Sequence, residues 1–172
     1  MKIGILSDTH TKVKSAKKAL HMLIENDAEF IIHAGDICEY ETLELLKNCG
    51  KRYIAVYGNN DPHLVQYHND YNLVQEPHYF KLADTTFKLM HLPFYMTPDT
   101  EVVIFGHTHK FESKFIEGTL FLNPGESCAR NKPLSECAIL EVEETRFNVT
   151  YYYREKKQDN FSSEAFSYKR TK

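Results

Sequence analysis

The sequence predicts an α/β fold, a layered sandwich of two mixed β-sheets flanked by helices. Up to about residue 60, short apolar runs alternate with amphipathic helical segments, which is typical of parallel strands joined by right-handed crossovers. Beyond that point the pattern changes to paired runs rich in β-forming residues, which predicts hairpins. A chain of 172 residues is long enough for one domain with a substantial core.

The first part of the chain predicts three strands and two helices in alternation. The strands are expected at 2–6, 29–33 and 51–57, each an apolar run bounded by polar residues. Apolar residues at helical spacing predict helices at 12–25 and 41–48, and Cys49-Gly50 supplies a stop for the second. Short connections between these elements favour a parallel sheet.

The second part predicts mainly antiparallel strands that face the first sheet and leave the helices outside. Hairpins are expected around Ala83-Asp84, around Glu117-Gly118 and around 143–145, and 101–105 is a further buried strand. From Arg154 the chain is polar with isolated aromatic residues. We therefore expect a domain at 1–153 and a polar C-terminal tail at 154–172 that is frayed or loosely docked.

Charge and composition exclude several classes of protein. Lys and Arg number 21 against 24 Asp and Glu, a net charge of −3, so no extended nucleic-acid surface is expected. No apolar run approaches the roughly 20 residues of a membrane span, and the start lacks a secretory pattern, so we expect no membrane contact and a cytoplasmic location. Four cysteines without a Cys-x-x-Cys pair argue against a thiolate zinc site and favour reduced, structural thiols.

Nine histidines are the unusual feature of the composition, and several follow predicted strands. In open α/β sheets ligands bind at the carboxyl ends of strands, where the loops converge. Seven residues able to bind a metal lie at such ends: Asp8, His10, Asp36, Asn59, His91, His107 and His109. Each of these residues alone would be explained by an ordinary role in a loop, a helix cap or the core. The seven together favour a metal site.

The chemistry of this set narrows the choice of metal. Two carboxylates, one amide and four imidazoles suit Mn, Fe, Zn, Co or Ni. Seven ligands exceed what one ion needs, and a carboxylate can bridge. We therefore expect two divalent transition-metal ions that share Asp36.

Five short motifs in order carry a resemblance to a known family. Asp8-Thr9-His10, Gly35-Asp36, Gly58-Asn59-Asn60-Asp61, His91 and Gly106-His107-Thr108-His109 resemble the calcineurin-like metallophosphoesterase superfamily, and within it the small single-domain phosphodiesterases of the YfcE and MJ0936 type. The resemblance runs from Met1 to about Tyr153 and implies the metallo-dependent phosphatase fold. It places Asp8, His10, Asp36 and His109 on one ion, and Asp36, Asn59, His91 and His107 on the other.

The activity implied is hydrolysis of a phosphodiester by a hydroxide activated by two metals, with Mn the first choice of metal. Two divalent ions, two Asp and one hydroxide sum to +4 − 2 − 1 = +1. This charge matches a phosphodiester monoanion better than a monoester dianion. The expected substrate is a small phosphodiester or nucleotide-derived compound.

Two departures from the family pattern bear on specificity. Many members have His after the ligand Asn, placed to protonate the leaving oxygen, and here that residue is Asn60, which donates a hydrogen bond but is no acid near neutral pH. Asp61 is expected either to orient His10 or to form a turn with Pro62. His91-Leu92-Pro93 replaces the common His-Gly, and the short interval to His107 leaves little room for a helix, which predicts a more open crevice.

Other polar residues near these motifs are expected to have structural roles. The remaining histidines, among which His63 and His68 follow the Asn59 loop, are expected on the surface or in packing. Packing is also favoured over metal contact for Cys38, and a structural role over phosphate contact for Arg130 and Asn123-Pro124-Gly125.

Two further functions compete with the phosphodiesterase. The retromer subunit Vps29 is similar in fold and size and acts as a protein-binding scaffold, but a scaffold does not need the full ligand set found here. A phosphomonoesterase is disfavoured by Asn60. Exposed strands in the second half make a homodimer a further prediction.

Overall fold

Two mixed β-sheets packed face to face form the fold in a computed structural model that describes residues 1–170. The strands of the first half are Lys2–Leu6 (β1), Phe30–His33 (β2), Arg52–Val56 (β3), Leu73–Val74 (β4), His78–Leu82 (β5) and Thr85–Leu89 (β6). Those of the second half are Val102–Ile104 (β7), Phe111–Ile116 (β8), Thr119–Pro124 (β9), Leu134–Val142 (β10), Arg146–Glu155 (β11) and Ser162–Lys169 (β12). Strand order is β12-β11-β10-β1-β2-β3-β4 in the seven-stranded sheet and β5-β6-β7-β9-β8 in the five-stranded sheet. The predicted layered α/β class is confirmed.

Two apolar layers hold the sheets and helices together. Ile3 and Ile5 of β1 meet Phe87 and Leu89 of β6 in the core between the sheets. Helices Val13–Glu25 (α1) and Tyr40–Lys47 (α2) bury their apolar stripes on the outer face of the larger sheet. Neither of these helices is long and apolar enough to cross a membrane.

The parallel strands β1, β2, β3 and β4 lie side by side, as the alternation of strands and helices predicts. The 3₁₀ helix Pro62–Tyr67 and the two-residue β4 were not predicted, because short elements carry little periodic signal. The loop from Leu92 to Thr100 contains no helix. It is held instead by the buried Lys88, whose ammonium donates to the carbonyls of Tyr95 and Thr97 at 2.9 and 3.0 Å.

The location of β10 and β11 differs from the prediction. They were expected among the strands of the second half, facing the first sheet, but β10 pairs antiparallel with β1 and both belong to the larger sheet. β10 is apolar on both faces: Leu140 enters the core between the sheets, while Cys137 and Ile139 enter the helical layer. A strand buried on both faces fits the interior of a sheet covered on both sides.

The C-terminal segment also differs from the expected loose tail. Ser162–Lys169 forms β12 and pairs with β11 over eight residues. Phe166 and Tyr168 pack against the core between the sheets, and the buried Arg170 forms an ion pair with Glu101. The outer face of β12 is polar, and for this reason the sequence of the segment resembles that of a tail. Residues 171–172 lie outside the described part of the chain.

Candidate active site

The seven predicted ligands converge at one edge of the molecule, on the loops that follow β1, β2, β3, β6 and β7. A first group surrounds His10, whose Nε2 lies 3.6 Å from Asp36 Oδ2 and 3.4 Å from His109 Nε2. His109 Nε2 is in turn 3.3 Å from Asp8 Oδ1. The structure thus brings Asp8, His10, Asp36 and His109 together.

A second group shares Asp36 with the first. Asp36 Oδ2 lies 3.4 Å from His91 Nε2, and Asn59 Oδ1 lies 3.1 Å from the same nitrogen. Asn59 Oδ1 is also 3.0 Å from His107 Nδ1. Asp36 therefore stands between two sets of donor atoms.

The unpartnered oxygen of Asp8 tests whether these residues suit a metal ion. Asp8 Oδ2 accepts hydrogen bonds from Ser7 Oγ and from the His107 N–H, but the buried Oδ1 has no hydrogen-bond partner. A buried carboxylate oxygen without a partner is costly unless a cation compensates it. His109 Nε2 and His10 Nε2 lie 3.3 and 4.0 Å from this oxygen. These separations leave room for one ion about 2.0–2.2 Å from each of the three atoms. The residues therefore fit a divalent cation.

Burial and charge set the protonation of the site. Burial raises the pKa of Asp8. At Asp36 burial also opposes ionisation, but the neighbouring His91 imidazole and hydrogen bonds from Asn60 outweigh it and lower the pKa well below its usual range. Burial lowers the pKa of His10, which favours the neutral imidazole that a metal requires.

The backbone around the site is strained at the predicted ligands. Asp8, His10, Asp36, His107 and His109 all have φ between 43° and 66°, in the left-handed region. Such a conformation costs a non-glycine residue about 1–3 kcal/mol, and such residues cluster at functional sites. The loops are thus held in an unfavourable conformation that aims these side chains at a common point.

Close packing explains two glycines of the motifs. A Cβ at Gly58 would lie 2.2 Å from Asp36 N and Oδ1, and one at Gly106 would lie 2.2 Å from Ser7 Oγ. Either contact would displace the backbone or side chains that carry the predicted ligands. Both motifs need glycine for this reason.

Several residues orient the predicted ligands from behind. His109 Nδ1 donates to Glu126 Oε2 at 2.5 Å, and His91 Nδ1 donates to the Ala34 carbonyl at 2.8 Å. Each bond leaves Nε2 of the imidazole facing the site. Sequence reasoning missed Glu126; its one signal was its position directly after Asn123-Pro124-Gly125.

Asp61 holds two of the loops together through backbone hydrogen bonds, and Asn60 hydrogen-bonds to Asp36. Asp61 accepts the N–H groups of Ile37, Cys38 and Gly58. Of the two roles expected for Asp61, orienting His10 has no supporting hydrogen bond or ion pair in the described structure, whereas a turn at Pro62 is present, because the Leu64 N–H donates to the Asp61 carbonyl at 2.9 Å. Asn60 donates to Asp36 through its backbone N–H at 2.9 Å and its amide at 2.7 Å.

Cys38 and His33 lie beside the predicted ligands. Cys38 Sγ lies 3.5 Å from His10 Nδ1, and burial raises the pKa of the thiol to about 12. His33 is buried between Thr9 Oγ1 and the Gly35 N–H, at 3.0 and 3.2 Å. Both residues pack against the loops that carry the predicted ligands. Arg130 is exposed.

The family model for the calcineurin-like phosphoesterase superfamily domain matches residues 1–145. The chain belongs to this superfamily. The metallophosphoesterase predicted from the motifs is thereby confirmed, and a divalent metal is implied.

Individual relatives agree with this assignment. Phosphodiesterase MJ0936 of Methanocaldococcus jannaschii is 28% identical over 160 residues, which cover 86% of this chain and 96% of that protein. A solved archaeal phosphodiesterase is 25% identical, covers 96% of this chain and all of its own, and has a TM-score of 0.76. Vps29 of Entamoeba histolytica, solved with Zn²⁺, is 20% identical, covers 97% of this chain and 99% of its own, and has a TM-score of 0.72. The last comparison shows a shared fold only.

Proposed function

We propose that this superfamily member hydrolyses phosphodiesters with two divalent transition-metal ions, of which Mn²⁺ is the first candidate and Ni²⁺, Co²⁺, Fe²⁺ or Zn²⁺ the alternatives. The observation that carries the proposal is the pair of donor groups that share Asp36, next to the unpartnered oxygen of Asp8. Asp8, His10, Asp36 and His109 would hold one ion. Asp36, Asn59, His91 and His107 would hold the other.

The chemistry that bound metal would supply here is activation of water and neutralisation of phosphoryl charge. The chain's own residues prepare the site for it. Asp36 stays ionised because the neighbouring His91 imidazole and hydrogen bonds from Asn60 lower its pKa. Glu126 and the Ala34 carbonyl fix the tautomers of His109 and His91, so that their Nε2 atoms are free to bind.

Asn60 favours diesters over monoesters in this proposal. Its amide already donates to Asp36 at 2.7 Å, and it can donate to a phosphoryl or leaving oxygen but cannot protonate it near neutral pH. Substrates with acidic leaving groups do not need that proton. We therefore expect a small phosphodiester or a nucleotide-derived substrate, turned over faster as its leaving group becomes more acidic.

A Vps29-like scaffold is the second candidate, because such proteins share the fold and one of them was solved with Zn²⁺. Metal binding alone would therefore not separate the two functions. The phosphodiesterase is favoured by a relative of that name at 28% identity over most of both chains. Cytoplasmic location and a homodimer remain predictions.

The deciding experiment is an assay after chelation and reloading with Mn²⁺, Ni²⁺, Co²⁺, Zn²⁺ or Mg²⁺. Bis(p-nitrophenyl) phosphate and p-nitrophenyl phosphate present the same leaving group as diester and monoester. We expect hydrolysis of the diester to exceed that of the monoester, and Asp36→Asn to abolish both. If no metal supports cleavage of any diester, the proposal fails and the scaffold function is favoured.

A further inference from the structure

We propose that a groove beginning at Asn59 binds the nucleoside part of the substrate, an inference that rests on the proposed phosphodiesterase. The groove starts in a cavity of about 280 Å³ lined by Tyr57, Asn59, Val65, Gln75 and Glu76, among others. A second cavity, of about 690 Å³, shares Tyr57, Val65 and Gln75 with it and is also lined by His68, Asn69, Val74 and His78. We call the two together the Asn59 groove.

The near end of the Asn59 groove is part of the candidate active site. Asn59 Oδ1 contacts the ring nitrogens of His91 and His107 at 3.1 and 3.0 Å. Glu76 Oε2 accepts the backbone N–H of His91 at 2.6 Å and that of Leu92 at 2.8 Å. Of the seven predicted ligands, Asn59 lines the groove, so an ester group of a phosphodiester held at these ligands would enter it beside Asn59.

The walls of the Asn59 groove suit a flat heterocycle. Tyr57 and Val74 are half-buried and Val65 is 56% exposed, and the imidazole rings of His68 and His78 line the second cavity beside them. Aromatic faces stack with nucleobases, and apolar side chains pack against them.

The polar groups of the groove favour a base or sugar over a second phosphate. The amides of Gln75 and Asn69 offer both donors and acceptors, and the carboxylate of Glu76 lies at the near end. Of the described residues that line the groove, none is Lys or Arg. Carboxylates attract the amino and ring N–H groups of nucleobases and repel phosphates. A mononucleoside ester thus fits better than a polyphosphate.

The test compares ligands that share the phosphate and differ in what occupies the groove. Binding of the four ribonucleoside 5′-monophosphates and of methyl phosphate is measured by equilibrium dialysis with the Mn²⁺-loaded protein. Because stacking of a base on an aromatic ring contributes about tenfold or more in affinity, at least one nucleotide should bind about tenfold more tightly than methyl phosphate.

Val65→Arg places a long side chain in the groove, and Ile116→Arg, on exposed β8 of the other sheet, is the matched control. Val65→Arg should remove the preference for the nucleotide over methyl phosphate, and Ile116→Arg should leave it unchanged. Tyr57→Leu should also reduce the preference, which keeps the test decisive if Val65→Arg does not fold.

Equal binding of all five ligands to the unmodified protein would overturn the proposal, as would an unchanged preference in folded Val65→Arg. Hydrolysis of methyl p-nitrophenyl phosphate is measured in parallel. Its absence with every metal defeats the proposed function, whereas the nucleotide preference is still read from dialysis. The two failures are therefore distinguishable.

Discussion

Glu126 Oε2 lies 2.5 Å from His109 Nδ1, inside a pocket where the Glu126 side chain is fully buried. The same carboxylate accepts the backbone N–H groups of Asn131 and Lys132 at 2.8–3.1 Å. Burial opposes ionisation of Glu126, but these hydrogen bonds, with that from His109 foremost, outweigh it and lower its pKa. The imidazole is therefore held by an ionised carboxylate, with Nε2 toward Asp8 Oδ1 at 3.3 Å.

We predict that Glu126→Gln weakens metal binding. The amide keeps the shape of the side chain but loses the charge, and its NH₂ group faces backbone donors. Loss of such an outer partner of a metal-binding His reduces affinity by about 10–100-fold. Competition with a chromogenic chelator measures the affinity directly, and Glu117→Gln at an exposed turn is the control. An affinity equal to that of the unmodified protein would show that Glu126 has no positioning role.

The unpartnered oxygen of Asp8 leads to a prediction about stability without metal. Asp8→Asn removes a buried charge whose Oδ1 has no hydrogen-bond partner, so the chelated variant should melt at or above the temperature of the chelated unmodified protein. Added Mn²⁺ at about 100 times its Kd should stabilise the unmodified protein by about 2.7 kcal/mol and the variant far less.

Thermal denaturation with and without Mn²⁺ measures both effects, and Asp84→Asn, at an exposed turn, serves as the control. A chelated Asp8→Asn protein that melts well below the chelated unmodified protein contradicts the argument from the unpartnered oxygen. An undiminished response to Mn²⁺ contradicts the role of Asp8 as a ligand.

His33 predicts a loss of stability in acid. Burial, together with the neighbouring His91 and His10, lowers its pKa from 6.5 to about 3, and the ring nitrogen Nδ1 accepts from the Gly35 N–H at 3.2 Å. Between these values the unfolded chain binds a proton that the folded protein does not, so stability falls as pH falls through 6.5 toward 3. From pH 7 to pH 5 the loss from this residue is about 2 kcal/mol.

Urea unfolding of the chelated protein at the two pH values measures this loss. His33→Gln, which can still accept from Gly35 and donate to Thr9, should be less sensitive to pH by about the same 2 kcal/mol. Exposed His21 supplies the control variant His21→Gln. Equal pH dependence of His33→Gln and the unmodified protein would argue against a neutral, buried His33.

The sequence was most informative where residues recur at strand ends. Polar residues at the ends of apolar runs were sufficient to predict that Asp8, Asp36 and His109 converge, because parallel strands place their carboxyl ends at one edge. It was least informative where partners are distant in the chain. Glu126 contacts His109 only because β9 and β10 bring its loop under the site, and Phe166 enters the core only because β12 pairs with β11. Such contacts depend on tertiary pairing, which local periodicity does not report.

Asn60 is the position at which a single change should alter specificity. Asn60→His places an imidazole, able to donate a proton near neutral pH, where the Asn60 amide now donates to Asp36 at 2.7 Å. General acid catalysis contributes about 10²–10⁴-fold, and it helps most when the leaving group is poor. The ratio of monoester to diester hydrolysis, measured with alkyl and aryl esters and bound Mn²⁺, should therefore rise about tenfold or more, with the larger gain for alkyl esters. Asn160→His, on an exposed loop, controls for the added imidazole. If the ratio in Asn60→His equals that in Asn160→His, the absence of an acid at position 60 does not determine the preference for diesters.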